Sequence, residues 1–244
     1  MMRADLFLSE YGYVKSRQNA KVLIEGGKVT LDGRVLTKPS EQIDENVEHT
    51  VEIIKEKYVC RGGYKLEAAL EQFSKYISVN GAVCIDIGAS TGGFTDCLLQ
   101  NGAVKVFAVD SGHGQLDESL LQNEKVVNIE GYNARNLDER DFPCRVDIAV
   151  MDVSFISQTL ILPSIPNVLK SGGVLVSLIK PQFEVGREHV GKNGIVKNIK
   201  KRDESVSRVI DFAGNCGFEL LGKTESPIKG GDGNTEFLAV FRLK

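Results

Sequence analysis

From Tyr64 to the end of the chain, short apolar runs alternate with segments of helical periodicity. Strands are predicted at residues 82–87, 104–109, 126–129, 146–153 and 173–180, with a closing pair at 218–224 and 236–242. Helices are predicted at residues 65–75, 93–100, 115–122, 157–169 and 200–216. Strands that are apolar along their whole length are buried on both faces. Their alternation with helices therefore predicts an α/β fold, doubly wound around a mainly parallel seven-stranded sheet.

The bulk properties limit the classes of protein to which the chain can belong. Its 244 residues suffice for one medium-sized domain and a small one. A formal net charge of −3 means that any nucleic-acid site is a local basic patch. No apolar run approaches the roughly 18 residues of a membrane span. The five cysteines are scattered without a CxxC pair, so neither a zinc site nor a disulfide framework is indicated, and we expect a reduced cytoplasmic protein.

The first 55 residues have a different pattern, which predicts a small α+β domain. Two helical segments come first, and Ser16 is placed to cap the second one. Gly26 and Gly27 end that helix. A short strand and the turn signal Asp32-Gly33 follow, and a last strand is predicted at residues 51–54.

This order of helices, glycine break, strand and turn resembles the S4 RNA-binding domain. The residues that carry the resemblance are Arg3, Asp5, Leu6, Ser16, Arg17, Ala20, Ile24, Gly26, Val29, Asp32 and Gly33. The resemblance implies that the second helix and the following turn face RNA phosphates, which assigns RNA binding to Arg3, Ser16, Arg17, Lys21 and Lys28. Arg and Lys neutralise phosphates, whereas Ser donates a hydrogen bond to them. The alternative is that these residues form an ordinary solvated surface.

A linker is predicted at residues 56–63, between the domain of residues 1–55 and a second domain of residues 64–244. Its sequence Arg61-Gly62-Gly63 is poor in residues that favour helix or strand. Arg61 also carries a charge that can contact RNA, so it joins the predicted RNA-binding residues.

A glycine-containing loop follows the first strong strand and predicts a cofactor site. Its glycines at positions 88, 92 and 93 fit neither GxGxxG nor a P-loop, which disfavours a pyrophosphate ligand. Asp110 ends the next strand, 22 positions after Gly88 in the sequence. An acidic residue at about this separation from the glycine loop can accept hydrogen bonds from ribose hydroxyls. These features fit S-adenosylmethionine, with Asn133 placed to read the adenine amino group. The predicted cofactor-binding residues are Asp86, Gly88, Ser90, Thr91, Gly92, Gly93, Phe94, Asp110 and Asn133.

Two charged residues at the ends of apolar strands are candidates for catalysis. Asp152 ends the fourth strand and Lys180 follows the fifth. Burial of a charge in such surroundings is costly unless the charge is paired. Ligands of open α/β folds bind at the carboxyl edge of the sheet, which both residues reach.

Several motifs together resemble the TlyA group, in which an S4 domain is fused to an FtsJ-like domain. They lie at residues 61–66, 86–95, 151–157 and 178–184. The group consists of ribosomal-RNA 2′-O-methyltransferases that have long been labelled haemolysins. The resemblance implies a Rossmann-like methyltransferase fold, S-adenosylmethionine as the cofactor, and a ribose, that of a cytidine, in ribosomal RNA or ribosomal subunits as the substrate. It also assigns the catalytic tetrad of FtsJ-like enzymes to Lys65, Asp152, Lys180 and Glu236.

The chemistry explains why such a tetrad is wanted. A ribose 2′-hydroxyl is a weak acid that must lose its proton while it attacks the methyl group. Lys180 is the expected central group, either as a stabiliser of the developing alkoxide or as the base. Asp152 and Glu236 orient it, and Lys65 positions or polarises the target ribose. The basic segment at residues 181–197 is interpreted either as a mobile lid over RNA and cofactor or as a surface loop.

Three alternatives are weighed against this hypothesis. A membrane-active haemolysin needs an amphipathic or spanning element, and none stands out. A non-catalytic RNA-binding protein would have lost the glycine loop or the lysines, which are present. A base methyltransferase of the Asn/Asp-Pro-Pro-Tyr/Phe type needs that tetrapeptide after the fourth strand, where this chain has residues 152–155, Asp-Val-Ser-Phe.

Overall fold

The computed structural model describes residues 1–54 and 56–244, and its contacts divide the chain into two units, residues 1–57 and 58–244. Lys55, the last residue of the predicted first domain, lies outside the described residues. The first unit contains β1 (Met2–Arg3), α1 (Ala4–Glu10), α2 (Arg17–Glu25), β2 (Val29–Leu31), β3 (Arg34–Val35), β4 (Gln42–Ile43) and β5 (Val51–Ile53). β1 pairs with β4, and β2 lies between β3 and β5 in an antiparallel sheet.

A buried carboxylate fixes the start of the first unit. Asp5 is fully buried, and its two oxygens accept hydrogen bonds from Arg3 Nε at 3.0 Å and Arg17 Nε at 2.9 Å. Burial raises the pKa of Asp5, but the two guanidinium groups outweigh burial and hold it at about 2. The carboxylate therefore ties β1 and α1 to the first turn of α2.

The second unit is built around one seven-stranded sheet. Its elements are α3 (Gly62–Gln72), β6 (Val83–Ile87), α4 (Gly93–Gln100), β7 (Lys105–Val109), α5 (Glu118–Leu121), β8 (Val126–Ile129), β9 (Val146–Met151), α6 (Ile165–Val168), β10 (Leu169–Ile179), α7 (Pro181–Glu184), α8 (Ile199–Asn215), β11 (Phe218–Glu225) and β12 (Phe237–Leu243). The strand order is β11-β12-β10-β9-β6-β7-β8. β6 to β10 are parallel, and β12 runs antiparallel to both of its neighbours.

Two separate hydrophobic clusters cover the two faces of this sheet. One cluster contains buried side chains of α3 and α4, such as Leu66 and Leu98. The other contains side chains of α6 and α8, such as Ile165 and Val206. The sheet therefore lies between two layers of helices, which is the doubly wound arrangement predicted from the sequence. The strand order reverses between β6 and β9, because the chain first adds β7 and β8 on one side of β6 and then β9 on the other.

The predicted helix at residues 157–169 is wrong. The structure has two single 3₁₀ turns there, Gln158–Leu160 and Leu162–Ser164, and then the short α6. Pro163 and Pro166 explain the difference, because proline removes a helical hydrogen bond and fits only the first turn of a helix. β10 also begins at Leu169, four residues before the predicted strand.

Most of the predicted linker packs as part of the second unit. The boundary between the units lies after Lys57, and Tyr58 is buried in the cluster that covers α3. The main-chain N–H of Val59 donates to Asp96 Oδ2 at 2.8 Å, and α3 already begins at Gly62. Among the described residues, no helix is long and apolar enough to cross a membrane.

Acid should destabilise the first unit through Asp5. Its pKa is about 2 in the folded chain, against roughly 3.9 in an unfolded chain. The carboxylate thus contributes stability above about pH 4, of about 2 kcal/mol, and loses that contribution as the pH falls towards 2. We expect Asp5→Asn to be less stable than the wild type at pH 6 and to lose less stability on acidification. Urea unfolding, followed by NMR signals of α1 at several pH values, measures how the free energy of unfolding changes with pH in each protein. The same dependence on pH in both proteins would contradict this role of Asp5.

Candidate active site

Functional side chains converge because the parallel strands all end at the same edge of the sheet. Four of the predicted site residues directly follow strands β6, β7, β9 and β10, in that order: Gly88, Asp110, Asp152 and Lys180. Glu236 directly precedes β12, which is antiparallel to β10, so it lies at the same edge. The paired strands thus bring together residues that are far apart in the sequence.

All four members of the predicted catalytic tetrad line one cavity of about 350 Å³. Lys180 Nζ lies 2.6 Å from Asp152 Oδ1 and donates to Ser154 Oγ at 2.7 Å. Lys65 Nζ donates to Glu236 Oε2 at 2.6 Å. The cavity therefore holds two ammonium–carboxylate pairs, one from β9 and β10 and one from α3 and β12.

The two pairs differ in their exposure to solvent. The side chains of Lys65 and Glu236 are only 7% and 2% exposed, whereas those of Lys180 and Asp152 are 11% and 21% exposed. Removal of one partner from a buried pair leaves an uncompensated charge, which is strongly destabilising. The Lys65–Glu236 pair is thus a fixed part of the wall, and the Lys180–Asp152 pair is the more accessible one.

A second cavity, of about 440 Å³, adjoins the catalytic one. Both cavities are lined by Gly88, Ser90, Asp152 and Ser154, so they share a wall. Of the predicted cofactor-binding residues, the second cavity is lined by Gly88, Ser90, Asp110 and Asn133. Thr91, Gly93 and Phe94 line the catalytic cavity instead.

Gly88 brings the glycine loop into direct contact with the catalytic segment. Its φ is +85°, and a Cβ atom there would lie 2.6 Å from the main-chain oxygen of Asp152. Only glycine accepts both the backbone conformation and the close approach. The loop therefore lies close enough to Asp152 for the two cavities to share a wall.

The Asp110 carboxylate is held by main-chain donors. Ser90 N–H donates to Asp110 Oδ2 and Gly112 N–H donates to Asp110 Oδ1, both at 2.8 Å. Ser90 adopts φ +48° to make this contact. A carboxylate oxygen has lone pairs for more than one donor, so an oriented Asp110 can still accept hydrogen bonds from ligand hydroxyls. Asn133 lies at the same cavity, and its Oδ1 accepts from Arg135 N–H at 3.2 Å.

Asp86 and Gly92 line neither cavity. Asp86 is fully buried on β6, where its Oδ2 accepts a hydrogen bond from Thr95 Oγ1 at 2.7 Å. Burial raises the pKa of Asp86 to about 7, although the hydrogen bond from Thr95 opposes the rise. Gly92 faces Leu116 and Leu120, whose side chains fill the space where a Cβ would stand. These two residues shape the loop from beneath, and the structure does not bring them to the cofactor cavity.

The predicted RNA-binding residues have varied surroundings. Arg3 and Arg17 are about half exposed and bound to Asp5, while Ser16 caps α2 by accepting from Asn19 N–H at 3.2 Å. Lys28 forms an ion pair with Glu56. Lys21 is partly exposed on α2, with no ion pair among the residues that the structure describes. Arg61 belongs to the second unit, where it lines the catalytic cavity.

The basic segment at residues 181–197, interpreted from the sequence either as a mobile lid or as a surface loop, contains short helical turns and is tied down near its end. It begins with α7 and contains two 3₁₀ turns, Arg187–His189 and Lys192–Gly194. The buried side chain of Asn234 accepts from Val196 N–H at 3.0 Å and donates to Gly194 O at 2.9 Å. The end of the segment is therefore fixed to the loop that precedes Glu236.

Gly63, in the predicted linker, and Gly93, at the start of α4, are required for packing. A Cβ on Gly63 would lie 2.3 Å from the ring of Tyr58, and one on Gly93 would lie 2.5 Å from Cys60 Sγ. The start of α3 and the start of α4 therefore pack with almost no space between them. Consecutive glycines are also typical of flexible linkers, which is why the sequence alone predicted a linker here.

Phe155 is a further residue that the sequence analysis did not assign to the site. It lines the cofactor cavity, its side chain is 90% exposed, and its φ is +64°. Its ring centroid lies 5.2 Å from that of Phe183. An aromatic side chain in the left-handed region is strained, and such strain clusters at functional sites.

The fold and the site define the class of protein. The sheet is doubly wound, and β12 runs antiparallel to its neighbours. A glycine loop and an oriented carboxylate lie at the carboxyl ends of its central strands, and this combination is typical of a Rossmann-like methyltransferase. Residues 58–243 match the FtsJ-like methyltransferase family, and residues 2–49 match the S4 domain. The chain belongs to the TlyA family, in which these two domains are combined.

Individual relatives extend over nearly the whole chain. A Bacillus subtilis protein with a provisional rRNA methyltransferase name, YqxC, is 46% identical over 97% of this chain and 84% of its own length. The 16S/23S rRNA (cytidine-2′-O)-methyltransferase TlyA of Mycobacterium tuberculosis is 42% identical over 99% of this chain and 90% of its own. A solved structure from Streptococcus thermophilus, with a provisional hemolysin name, is 44% identical, covers 100% of this chain and 88% of its own, and has a TM-score of 0.77.

These matches confirm the predicted family, the fold class and the assignment of the chain as a methyltransferase. S-adenosylmethionine, the predicted cofactor, is the methyl donor of this class. The residues present fit it, because Gly88 leaves room for a close ligand and Asp110 presents an oriented carboxylate.

Gly88→Ala should abolish tight binding of S-adenosylmethionine. The added methyl group would overlap the Asp152 carbonyl and push the loop away from the shared wall. We expect the dissociation constant to rise at least about tenfold, since a loss of roughly 1.4 kcal/mol suffices. Gly81→Ala is the matched control, because Gly81 has a similar φ of +78° but no atom near its Cβ position. Calorimetric titration that gave equal affinities for the two variants would refute the role of the Gly88–Asp152 contact.

Proposed function

We propose that this protein transfers a methyl group from S-adenosylmethionine to the ribose 2′-hydroxyl of a cytidine in ribosomal RNA. The observation that carries the proposal is the shared wall, where the cofactor cavity meets the Lys180–Asp152 pair. A methyl donor in one cavity and a nucleophile in the other would meet at that wall. The relative from Mycobacterium tuberculosis, which is named for cytidine 2′-O-methylation of 16S and 23S rRNA, supports the choice of substrate. We further propose that the reaction takes place in the cytoplasm, on ribosomal RNA or ribosomal subunits.

The proposed roles of the tetrad follow from the nucleophile. A 2′-hydroxyl must lose its proton, in the end to solvent, as its oxygen attacks the methyl group. Negative charge develops on the oxygen as the proton leaves, and a positioned ammonium group lowers the energy of that charge. We assign this role to Lys180, which Asp152 and Ser154 hold in place. Lys65 and Glu236, which line the same cavity, are proposed to position the ribose.

The proposed cofactor contacts use the polar residues of the second cavity. When bound, S-adenosylmethionine supplies an electrophilic methyl group on a positively charged sulfur. Asp110 accepts hydrogen bonds from the ribose hydroxyls of the cofactor, and Asn133 reads its adenine. Gly88, which has no side chain, would let the backbone lie close to the cofactor at the shared wall.

RNA binding is assigned to both units. In the first unit, Arg3, Ser16, Arg17, Lys21 and Lys28 are proposed to contact phosphates. In the second unit, Arg61 lines the catalytic cavity and is proposed to hold the phosphate of a neighbouring nucleotide. Phe155 and Phe183 offer an aromatic surface beside the catalytic pair, the kind of surface that contacts an unstacked base.

Lys180→Met should remove most of the methyl transfer while the cofactor still binds. The variant keeps the length of the side chain and loses the charge, so kcat should fall about 10²–10³-fold, as for the loss of one stabilising donor. Lys223→Met, on exposed β11, is the matched control and should retain full activity. Labelled methyl transfer to ribosomal subunits, with mapping of the modified ribose, measures both. Undiminished transfer in Lys180→Met, or a methyl group found on a base, would refute the proposed reaction.

Lys21→Ala tests the RNA surface of the first unit with little risk to its fold. Lys21 makes no ion pair in the described part of the chain, whereas Arg17 also holds Asp5. We expect weaker RNA binding at every sequence and a plot of log affinity against log salt whose slope is smaller by about one. An unchanged slope would show that Lys21 contacts no phosphate.

A further inference from the structure

Two short segments carry the catalytic pair and two aromatic rings in contact with each other. Residues 152–157 follow β9 and include Asp152 and Phe155, while residues 180–184 follow β10 and include Lys180 and Phe183. Near the cavity the segments are joined by the Lys180–Asp152 pair. In the middle they are joined by the contact between the two rings.

Glu184 joins the same segments at their far ends. Its Oε2 accepts a hydrogen bond from Ser157 Oγ at 2.7 Å, and its Oε1 accepts from Gln158 N–H at 2.8 Å. Both carboxylate oxygens thus accept a hydrogen bond, one from a side-chain hydroxyl and one from a main-chain N–H. Burial raises the pKa of Glu184, while the bonds from Ser157 and Gln158 oppose the rise. Glu184 itself lines neither of the two cavities.

Gln158 fixes this junction to the sheet. Its buried side chain donates from Nε2 to Leu178 O at 2.7 Å and accepts at Oε1 from Ser177 Oγ at 2.6 Å. Both of those partners belong to β10, the strand that ends just before Lys180. The end of residues 152–157 is therefore tied to β10 through Gln158 and to α7 through Glu184.

The contacts of Glu184 and Gln158 add to those that hold residues 152–157, in which Val153 and Ile156 pack against the core and Ser154 accepts a hydrogen bond from Lys180. Phe155 has a left-handed backbone and a solvent-exposed ring, so its conformation must be imposed from outside. Asp152 lies at one end of that segment and the Glu184 contacts lie at the other. A shift of the segment would move Asp152 relative to Lys180, and catalysis is sensitive to such displacements.

We propose that Glu184 is a positioning residue that holds residues 152–157 against residues 180–184, and so keeps the Lys180–Asp152 pair at the shared wall. It acts through Ser157 and Gln158 and touches no substrate. The inference deepens the proposed function, on which its kinetic test rests.

The kinetic test compares E184A with E184Q. E184A removes both acceptors, so kcat should fall about 10–100-fold, and by a larger factor than KM for RNA rises. E184Q keeps an acceptor for Gln158 N–H and offers an amide donor to Ser157 Oγ, so it should restore kcat to within about threefold of the wild type. Its pH profile should match that of the wild type, because the two partners that Glu184 positions, Ser157 and Gln158, are neutral, and the charged neighbour Arg208 also donates to the main-chain oxygen of residue 184. E188A, at an exposed neighbouring glutamate, is the control and should change nothing.

A second kinetic measurement asks whether Glu184 acts through Ser157. S157A should lower kcat less than E184A does, since the bond to Gln158 N–H remains. The double variant should be no worse than E184A, because the two residues share one contact. The positioning role would be overturned if the factors by which S157A and E184A lower kcat multiplied in the double variant. It would also be overturned if E184Q lowered kcat as much as E184A does. Should E184A fail to fold, S157A and E184Q alone carry the test.

Hydrogen exchange in the absence of RNA separates this inference from the proposed function. The amide of Gln158 and those of residues 152–157 should exchange faster in E184A than in the wild type. This outcome supports the positioning role of Glu184 even if the RNA substrate has been assigned wrongly. Equal exchange rates together with a normal kcat in E184A would refute it, whatever the substrate is.

Discussion

Gly88 lies against the main-chain oxygen of Asp152, and this contact brings the cofactor loop and the catalytic segment together. Because β6 and β9 are neighbouring parallel strands, their carboxyl ends already lie side by side. A side chain at position 88 would force them apart. The shared wall of the two cavities, and with it the transfer of a group from one to the other, depends on the missing Cβ.

Pairing of opposite charges allows the four charged residues of the tetrad to lie in a largely buried cavity wall. Each lysine of the tetrad has its own carboxylate within 2.6 Å, so neither ammonium group is buried alone. Asp86, deeper in the sheet, has no cation beside it in the part of the chain that the structure describes, and burial raises the pKa of its carboxyl to about 7. The difference fits a division in which the paired groups face the cavity and Asp86 supports the loop from beneath through Thr95.

Strand positions and strand-end residues could be predicted from the sequence, because fully buried parallel strands are apolar runs that end at one edge. That reasoning placed Gly88, Asp110, Asp152 and Lys180 correctly at that edge. It could not place Glu236, which precedes an antiparallel strand and was assigned only through the family resemblance.

Other features depend on contacts that no local pattern encodes. Asp86 and Gly92 have the residue types of a cofactor loop but point into the protein. The prolines at positions 163 and 166 interrupt an otherwise helical pattern, and Gly63 packs directly against the ring of Tyr58. Glu184 anchors residues 152–157 through Ser157 and Gln158, which precede it by 27 and 26 positions in the sequence. Periodicity cannot detect contacts over such separations.

A crystal structure with S-adenosylhomocysteine, the product that remains after methyl transfer, tests the central claim most directly. We predict that its sulfur lies at the shared wall between Gly88 and Asp152 and faces Lys180, with its ribose hydroxyls on the Asp110 carboxylate. A product bound with its sulfur turned away from Lys180, or with its ribose remote from Asp110, would contradict the adjoining-cavity arrangement on which the proposed reaction depends.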